Sequence, residues 1–303
     1  MKTFAVKKKG IVLICVAVAL AAVWACGIFF PVLQVHEAER SGALDWEISG
    51  GQVNGKNSVD ILFSCFDVRR KVTEVSCLIN DDGTACLSVT TRGIPHFASY
   101  EEEPYRIRIP DLSGDFADDA SPEIKKIVLE SKNDSLVLWE EEVTVDRLTA
   151  QMFAIATDNK LSPDEKVNGL LTCFGADSWA PQRKNPDGSF PPGFSARLAE
   201  TASRYDLTVA FPGDIVLYEK TDALREMRKC SCILIALIDD LDGMTWEYSF
   251  DKKKETLRFE TSDAAAMLGP ENGGGSIKEY GKTAGGLQKV MDAIGFKPSV
   301  FIG

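Results

Sequence analysis

The sequence predicts three parts: an N-terminal transmembrane helix, an all-β sandwich-like (immunoglobulin-like) domain, and an α+β domain. Three observations predict this order. A run of 24 residues, Gly10 to Leu33, carries no charge, and short segments with a period of two follow it. Helical spacing appears only in the second half of the chain. We place the anchor with its cytoplasmic tip at 1–34, the β domain at 35–147 and the α+β domain at 148–303.

The uncharged run is long enough to be a membrane anchor. At about 1.5 Å per helical residue it spans roughly 36 Å, against about 30 Å for the hydrocarbon core of a bilayer. Lysines at positions 2, 7, 8 and 9 precede it. Because cytoplasmic flanks carry the lysine excess, we expect a single-pass cell-membrane protein with a cytoplasmic N-terminus and extracellular C-terminal domains.

Two processing events are alternatives to a retained helix. A cleaved signal peptide has an apolar stretch of about 7–15 residues, and cleavage after Ala21 would leave an apolar new N-terminus. A lipoprotein would use Cys26 as its lipid-attachment residue. The bulky Trp24 lies where that motif has small residues, and the apolar run continues beyond the cysteine through Phe30. We therefore expect an uncleaved helix.

Composition limits the classes of partner. No acidic residue lies in the first 34 positions, so the outer part holds 30 basic and all 45 acidic residues, a net charge of about −15. Nucleic acid and anionic lipid are poor partners for such a surface.

Six cysteines lie beyond the anchor, at positions 65, 77, 86, 173, 230 and 232. Cys230 and Cys232 are two apart on a predicted helix and point to different sides, so they should not bond to each other. A zinc site would need a second close pair or a pair of histidines. We expect mostly buried thiols and predict no metal site and no cofactor.

Alternation of apolar and polar residues predicts seven or eight short strands in the first outer domain, typical of a β-sandwich. The segments are Leu44–Ile48, Val59–Cys65, Val72–Ile79, Ala85–Thr90, Tyr105–Ile109, Ile124–Glu130 and Leu136–Val145.

One hairpin register follows from matching apolar faces. Pairing Val75 with Val89 and Cys77 with Leu87 requires a three-residue loop that ends in a left-handed Gly83. A two-residue turn would instead place Cys77 opposite Cys86 and favour a disulfide. We predict the first register.

Two features of this domain suggest chemistry only weakly. The acidic stretch Asp111–Asp119 resembles a calcium loop, but Phe116 occupies the sixth position, where glycine is needed, and Pro122 the twelfth, where glutamate is needed. His96 lies near the acids at 101–103, and a lone loop histidine is usually a surface residue. His36 follows the anchor directly. We read the acidic stretch as a solvated loop and His96 as a surface residue.

Helical signals begin in the second outer domain. Ser162-Pro163-Asp164-Glu165 is a helix start, and Gly175 a stop. A buried helix is predicted from Asp222 to Leu241, and a last helix from Thr283 to Gly295.

A hairpin with alternating Trp246, Tyr248 and Phe250 follows the buried helix. A four-residue loop would place Trp246 opposite Phe259 and Tyr248 opposite Leu257, with the aromatic row in the core. The glycines at 273–275 lack the spacing of a phosphate loop and predict a connection.

The segments TDNKLSPDEKVNGLLTCFG, FSARLAETASRYDLTVAF and ILIALIDDLDGMTWEYSF resemble the bacterial extracytoplasmic domain of unknown function 4825, over residues 148–300. The most specific part is Ile233–Tyr248, and this chain differs by the insertion Leu161–Asp164. The resemblance implies an extracytoplasmic module of a membrane-anchored protein of Gram-positive bacteria. It supplies no catalytic residues.

No nucleophile–histidine pair stands out, so the sequence predicts no catalytic residues. We expect a binding or regulatory module, held at the membrane by its N-terminal helix, with a protein, peptide or envelope component as partner. Two alternatives remain: a solute-binding surface protein with a small ligand, and a hydrolase that uses a pair of carboxylates.

Overall fold

The computed structural model describes residues 35–37, 44–53, 56–65, 70–94, 104–109, 124–132, 134–140, 142–180, 193–201, 204–216, 218–269 and 276–296. Within these ranges, no helix combines the length and the apolar character needed to cross a membrane. The predicted anchor and Cys26 lie outside the described residues.

The first part of the chain is rich in β-structure. Its strands are β1 (Val35–Glu37), β2 (Leu44–Val53), β3 (Lys56–Cys65), β4 (Arg70–Ile79), β5 (Thr84–Gly93), β6 (Tyr105–Ile109), β7 (Lys126–Glu130), β8 (Ser135–Glu140) and β9 (Val143–Thr144). Each of the seven segments predicted from alternation overlaps an observed strand.

These strands form two sheets. One has the order β2-β3-β6, and the other the order β1-β5-β7-β8-β9, with β4 also paired to β5. The chain divides into two compact units, Met1–Ile124 with Val128–Ser135, and Lys125–Ile127 with Leu136–Gly303. In the first unit, alternate side chains of β3 and β5 are buried, and β4 contacts both β3 and β6.

The predicted hairpin register is confirmed for β4 and β5. Val75 pairs with Val89 and Cys77 with Leu87. Gly83 has a φ of 84°, which a residue without a Cβ adopts at little cost. Cys86 lies opposite Leu78, so no disulfide joins it to Cys77.

The second unit is an α+β fold. Its further strands are β10 (Ser195–Thr201), β11 (Arg204–Asp214), β12 (Leu241–Phe250) and β13 (Lys253–Glu260), and its helices are α1 (Arg147–Thr157), α2 (Pro163–Cys173), α3 (Lys220–Leu237), α4 (Thr261–Leu268), α5 (Ile277–Tyr280) and α6 (Ala284–Ala293). The sheet order is β10-β11-β12-β13, and only β11 and β12 are parallel in it. Parallel neighbours need a crossover, which α3 provides.

Helix α3 is the centre of the hydrophobic core of this unit. Residues 230–238 are all buried, as the apolar run predicted. Helices α4, α5 and α6 all contact α3, and α3 contacts β12. The buried side chains of these elements form one continuous cluster.

Local capping signals set the helix starts. The Ser162 hydroxyl accepts the Glu165 N–H, and the Glu165 carboxylate accepts the Ser162 N–H, so the predicted capping box is confirmed. Thr283 caps α6 through the Gly286 N–H, also as predicted.

Two boundary predictions in this unit are wrong. Helix α3 ends at Leu237, not Leu241, because Asp240 turns the chain with a φ of 60° and β12 begins at Leu241. The β12–β13 loop has two residues, Asp251 and Lys252, rather than four.

Both loop residues have positive φ, 48° and 64°, the geometry of a type I′ turn. That turn pairs Trp246 with Leu257 and Met244 with Phe259, and the predicted register is therefore shifted by two residues.

Candidate functional site

The sequence features that suggested chemistry do not form a site in the described part of the chain. No group of three or more His, Cys, Asp or Glu side chains there could hold a metal ion. His96, the acidic stretch 111–119 and the glycines at 273–275 lie outside the described residues, as does the His36 side chain.

A concave site of about 440 Å³ lies in the first unit, beside strand β6. Tyr105, Arg106, Ile107 and Arg108 line it from β6, and Val75 lines it from β4. Consecutive strand residues point to opposite faces of a sheet, so four consecutive lining residues mean that the backbone edge of β6 borders the site. We call this the β6 groove.

Among the residues that the structure describes, the sheet does not use the bordering edge of β6. Its other edge pairs with β3, with Ile107 opposite Ile61 and Arg108 opposite Asp60. No strand in the described ranges pairs with the groove edge, since β6 ends the order β2-β3-β6. Such an edge presents backbone N–H and C=O groups to any extended segment that approaches.

The two faces of β6 differ in chemistry. Tyr105 and Ile107 are half-buried and Ile109 is buried, whereas Arg106 and Arg108 are exposed. The alternation gives the groove an apolar inner side and a cationic outer side.

Asp60 on β3 holds both arginines. Arg108 donates from Nε at 2.7 Å and from Nη2 at 2.9 Å, and Arg106 Nη2 donates at 2.6 Å. The hydrogen bonds from Arg108 and then Arg106 hold the pKa of the Asp60 carboxyl well below its usual range, so it is ionised at neutral pH. The three side chains together carry one net positive charge.

The second unit presents a polar face of its sheet to solvent. One row across the four strands is Arg197, Thr208, Thr245 and Arg258. Arg258 donates to Asp206 at 2.5 Å and to Thr245 at 3.2 Å. An exposed polar face is expected of any sheet that is covered on one side only, and the charges on this face are of both signs. We therefore consider this face a weaker candidate binding site than the β6 groove.

The aromatic row of β12 belongs to the core, as predicted. Trp246 is fully buried and stacks on Trp179 and Phe211 at centroid distances of 5.7 and 6.0 Å. It has no exposed face on which a sugar could stack.

The cysteines beyond residue 34 are free thiols in the structure. Three are buried, as expected (Cys65, Cys230 and Cys232), and three are only partly buried (Cys77, Cys86 and Cys173). Burial raises the pKa of Cys77 and Cys173 to about 11 and that of Cys232 to about 12. Their thiols therefore stay protonated at neutral pH and are poor nucleophiles.

Lys278 closes the C-terminus of helix α3. Its Nζ donates to the carbonyl oxygens of Ile238 at 2.6 Å and Leu241 at 2.9 Å, a common way to satisfy the last carbonyl groups of a helix. Burial lowers the pKa of Lys278 to about 8, partly opposed by Asp239, Asp242 and Asp240.

This lysine gives a pH prediction. The unfolded chain retains the proton up to the ordinary pKa of 10.5, while the folded chain loses it from about 8. Between these values the unfolded state binds more protons, so the free energy of unfolding should rise with pH.

Relative to a Lys278→Met variant, the wild type should gain stability over this interval in urea titrations. Lys282→Met, which removes an exposed lysine, is the matched control. Parallel curves for wild type and Lys278→Met would contradict the prediction.

Comparison with known proteins identifies no relative. No protein-family model matches the chain, and comparisons with curated proteins and with solved structures found no match.

Proposed function

We propose that this protein is a binding or regulatory module anchored in the cell membrane, with residues 10–33 as its transmembrane helix and both units outside the cell. The uncharged run and the lysines before it support the anchor and its orientation. Within the same proposal the first unit is an immunoglobulin-like sandwich, and residues 148–300 belong with the extracytoplasmic domain that they resemble.

Orientation has a direct test. Protease added to intact cells without an outer-membrane barrier should digest the chain beyond residue 34, because that part is exposed to the medium. Immunoblotting with an antibody against the C-terminal residues measures the loss. Full protection of the C-terminal residues in intact cells, with digestion only after lysis, would contradict the orientation.

The partner, in this proposal, is an extended segment of a protein or peptide that adds a strand to β6. The observation that carries it is the β6 groove, an open concave site bordered by an edge of β6 that pairs with no strand in the described ranges. Strand addition gains affinity from backbone hydrogen bonds and specificity from alternate side chains.

A small ligand is the second candidate. The groove volume of about 440 Å³ falls within the range of roughly 300–1,000 Å³ typical of ligand pockets. If the partner is an extended polypeptide, a crosslinking group in the groove would contact that polypeptide. If the partner is a small ligand, the same group would contact the small molecule.

Photo-crosslinking distinguishes these functions. Benzoylphenylalanine at Tyr105 retains an aromatic ring in the groove, and the same substitution at Tyr280, a half-buried aromatic residue of α5, is the matched control. Irradiation of cells expressing the full-length chain should give a polypeptide adduct at 105 and none at 280. Equal adducts at both positions, or none at 105, would overturn the proposal, and a small-molecule adduct at 105 would favour the second candidate.

A further inference from the structure

We propose that the segment bound at β6 carries an acidic side chain beside Arg106 and apolar side chains on the opposite face. The inference rests on the proposed function, since it names the sequence class of the segment that the groove binds.

Arg106 is the cation that remains available to a partner. Its Nη2 contacts Asp60, and 60% of its side chain is exposed. Arg108 directs both Nε and Nη2 at the same carboxylate. One carboxylate therefore holds two guanidinium groups, and Arg106, which gives Asp60 only its Nη2, keeps further N–H donors for a partner.

The position of Arg106 determines which residue of the bound segment should be acidic. A strand added to β6 would run about 4.8 Å away, with directly opposed Cβ atoms about 4.5–5.5 Å apart. A glutamate or aspartate opposite Arg106 would then reach the guanidinium. An opposite-charge pair at this spacing stabilises a sheet, and Asp60 holds the arginine in place beforehand.

The residues of β6 on either side of Arg106 favour apolar residues in the bound segment. Tyr105 and Ile107 point to the other face of β6, and half-buried Val75 lies across the groove on β4. Residues of the added strand on that face would cover these side chains. The preferred segment therefore alternates between acidic and apolar residues.

Peptide binding tests the inference. The probe is a fluorescein-labelled nonapeptide of alternating glutamate and valine, and its counterpart has glutamine in place of glutamate. Fluorescence anisotropy with the purified full-length chain should show the glutamate peptide binding about tenfold more tightly, with the difference shrinking as salt is raised.

Variants locate the preference at one side chain. Arg106→Gln should reduce the tenfold preference to near equality, because it removes the cation and leaves Arg108 on Asp60. Arg197→Gln, at an exposed arginine of β10 in the other unit, should leave the preference unchanged.

The possible outcomes separate the inference from the proposed function. Equal binding of the two peptides would overturn the acidic preference and leave strand addition standing. A preference that survives Arg106→Gln would also overturn the inference. No binding of either peptide, together with no adduct at Tyr105, would overturn both.

Discussion

Replacing Gly281 with alanine should lower the free energy of unfolding of the second unit by about 3 kcal/mol. Gly281 follows helix α5, and an added Cβ would lie 1.9 Å from the carbonyl oxygen and 2.5 Å from the carbonyl carbon of Ala236 in α3. Both atoms are backbone of the buried central helix, so no side-chain rotation can relieve the clash, and α5 would have to move away from α3.

Urea titration of the full-length chain, followed by far-ultraviolet circular dichroism, measures this loss. Gly213→Ala is the matched control, because an added Cβ there meets no atom within 4 Å. The control should change stability by no more than about 0.5 kcal/mol. If Gly281→Ala were equally mild, the close approach of α5 to α3 would be wrong.

Removing the Ser231 hydroxyl should cost about 2 kcal/mol, the second largest expected effect. Its Oγ accepts a hydrogen bond from the Trp246 indole N–H at 2.8 Å and donates to the Met227 carbonyl at 2.7 Å. Both side chains are fully buried. In Ser231→Ala the indole N–H loses its acceptor inside a fully buried site, and this unsatisfied donor is the main cost.

A double-mutant cycle isolates that hydrogen bond. In a Trp246→Phe background there is no indole N–H to leave unsatisfied, so Ser231→Ala should cost much less than in the wild type. Ser262→Ala, at an exposed serine of α4, should be nearly neutral. An equal cost of Ser231→Ala in both backgrounds would show that the Trp246 hydrogen bond contributes little.

The elements that the sequence predicts well carry their own local signals. Ser162 and Glu165 supply a complete capping box, and Gly83 supplies the one residue that accepts a left-handed backbone without strain. Matching apolar faces then leaves one sensible register for β4 and β5.

The errors occur where the local signal is missing. The turn at Asp251 and Lys252 is left-handed at both residues without a glycine or an asparagine. Helix α4 is capped by Glu260, and α1 is capped by Asp146 without a glutamate three residues later, so neither helix was predicted. In α3 the apolar run continues into β12, and only the backbone reversal at Asp240 separates helix from strand.

The candidate site shows a different limit of sequence reasoning. Alternation predicts that Tyr105–Ile109 is a strand and that its arginines face solvent. Whether β6 lies inside a sheet or at its edge depends on which distant strands pair with it. Asp60, which fixes both arginines, is more than 40 residues away in sequence. No local pattern identifies the groove.

The claim that an extended segment pairs with the open edge of β6 is tested most directly by backbone hydrogen exchange. Amides of β6 that do not bond to β3 should exchange at least about tenfold more slowly when the glutamate peptide saturates the full-length chain, because they acquire hydrogen-bond partners. Amides of β10, an edge strand of the sheet in the second unit, should not change. Unaltered exchange across residues 105–109, with protection elsewhere in the chain, would contradict the account.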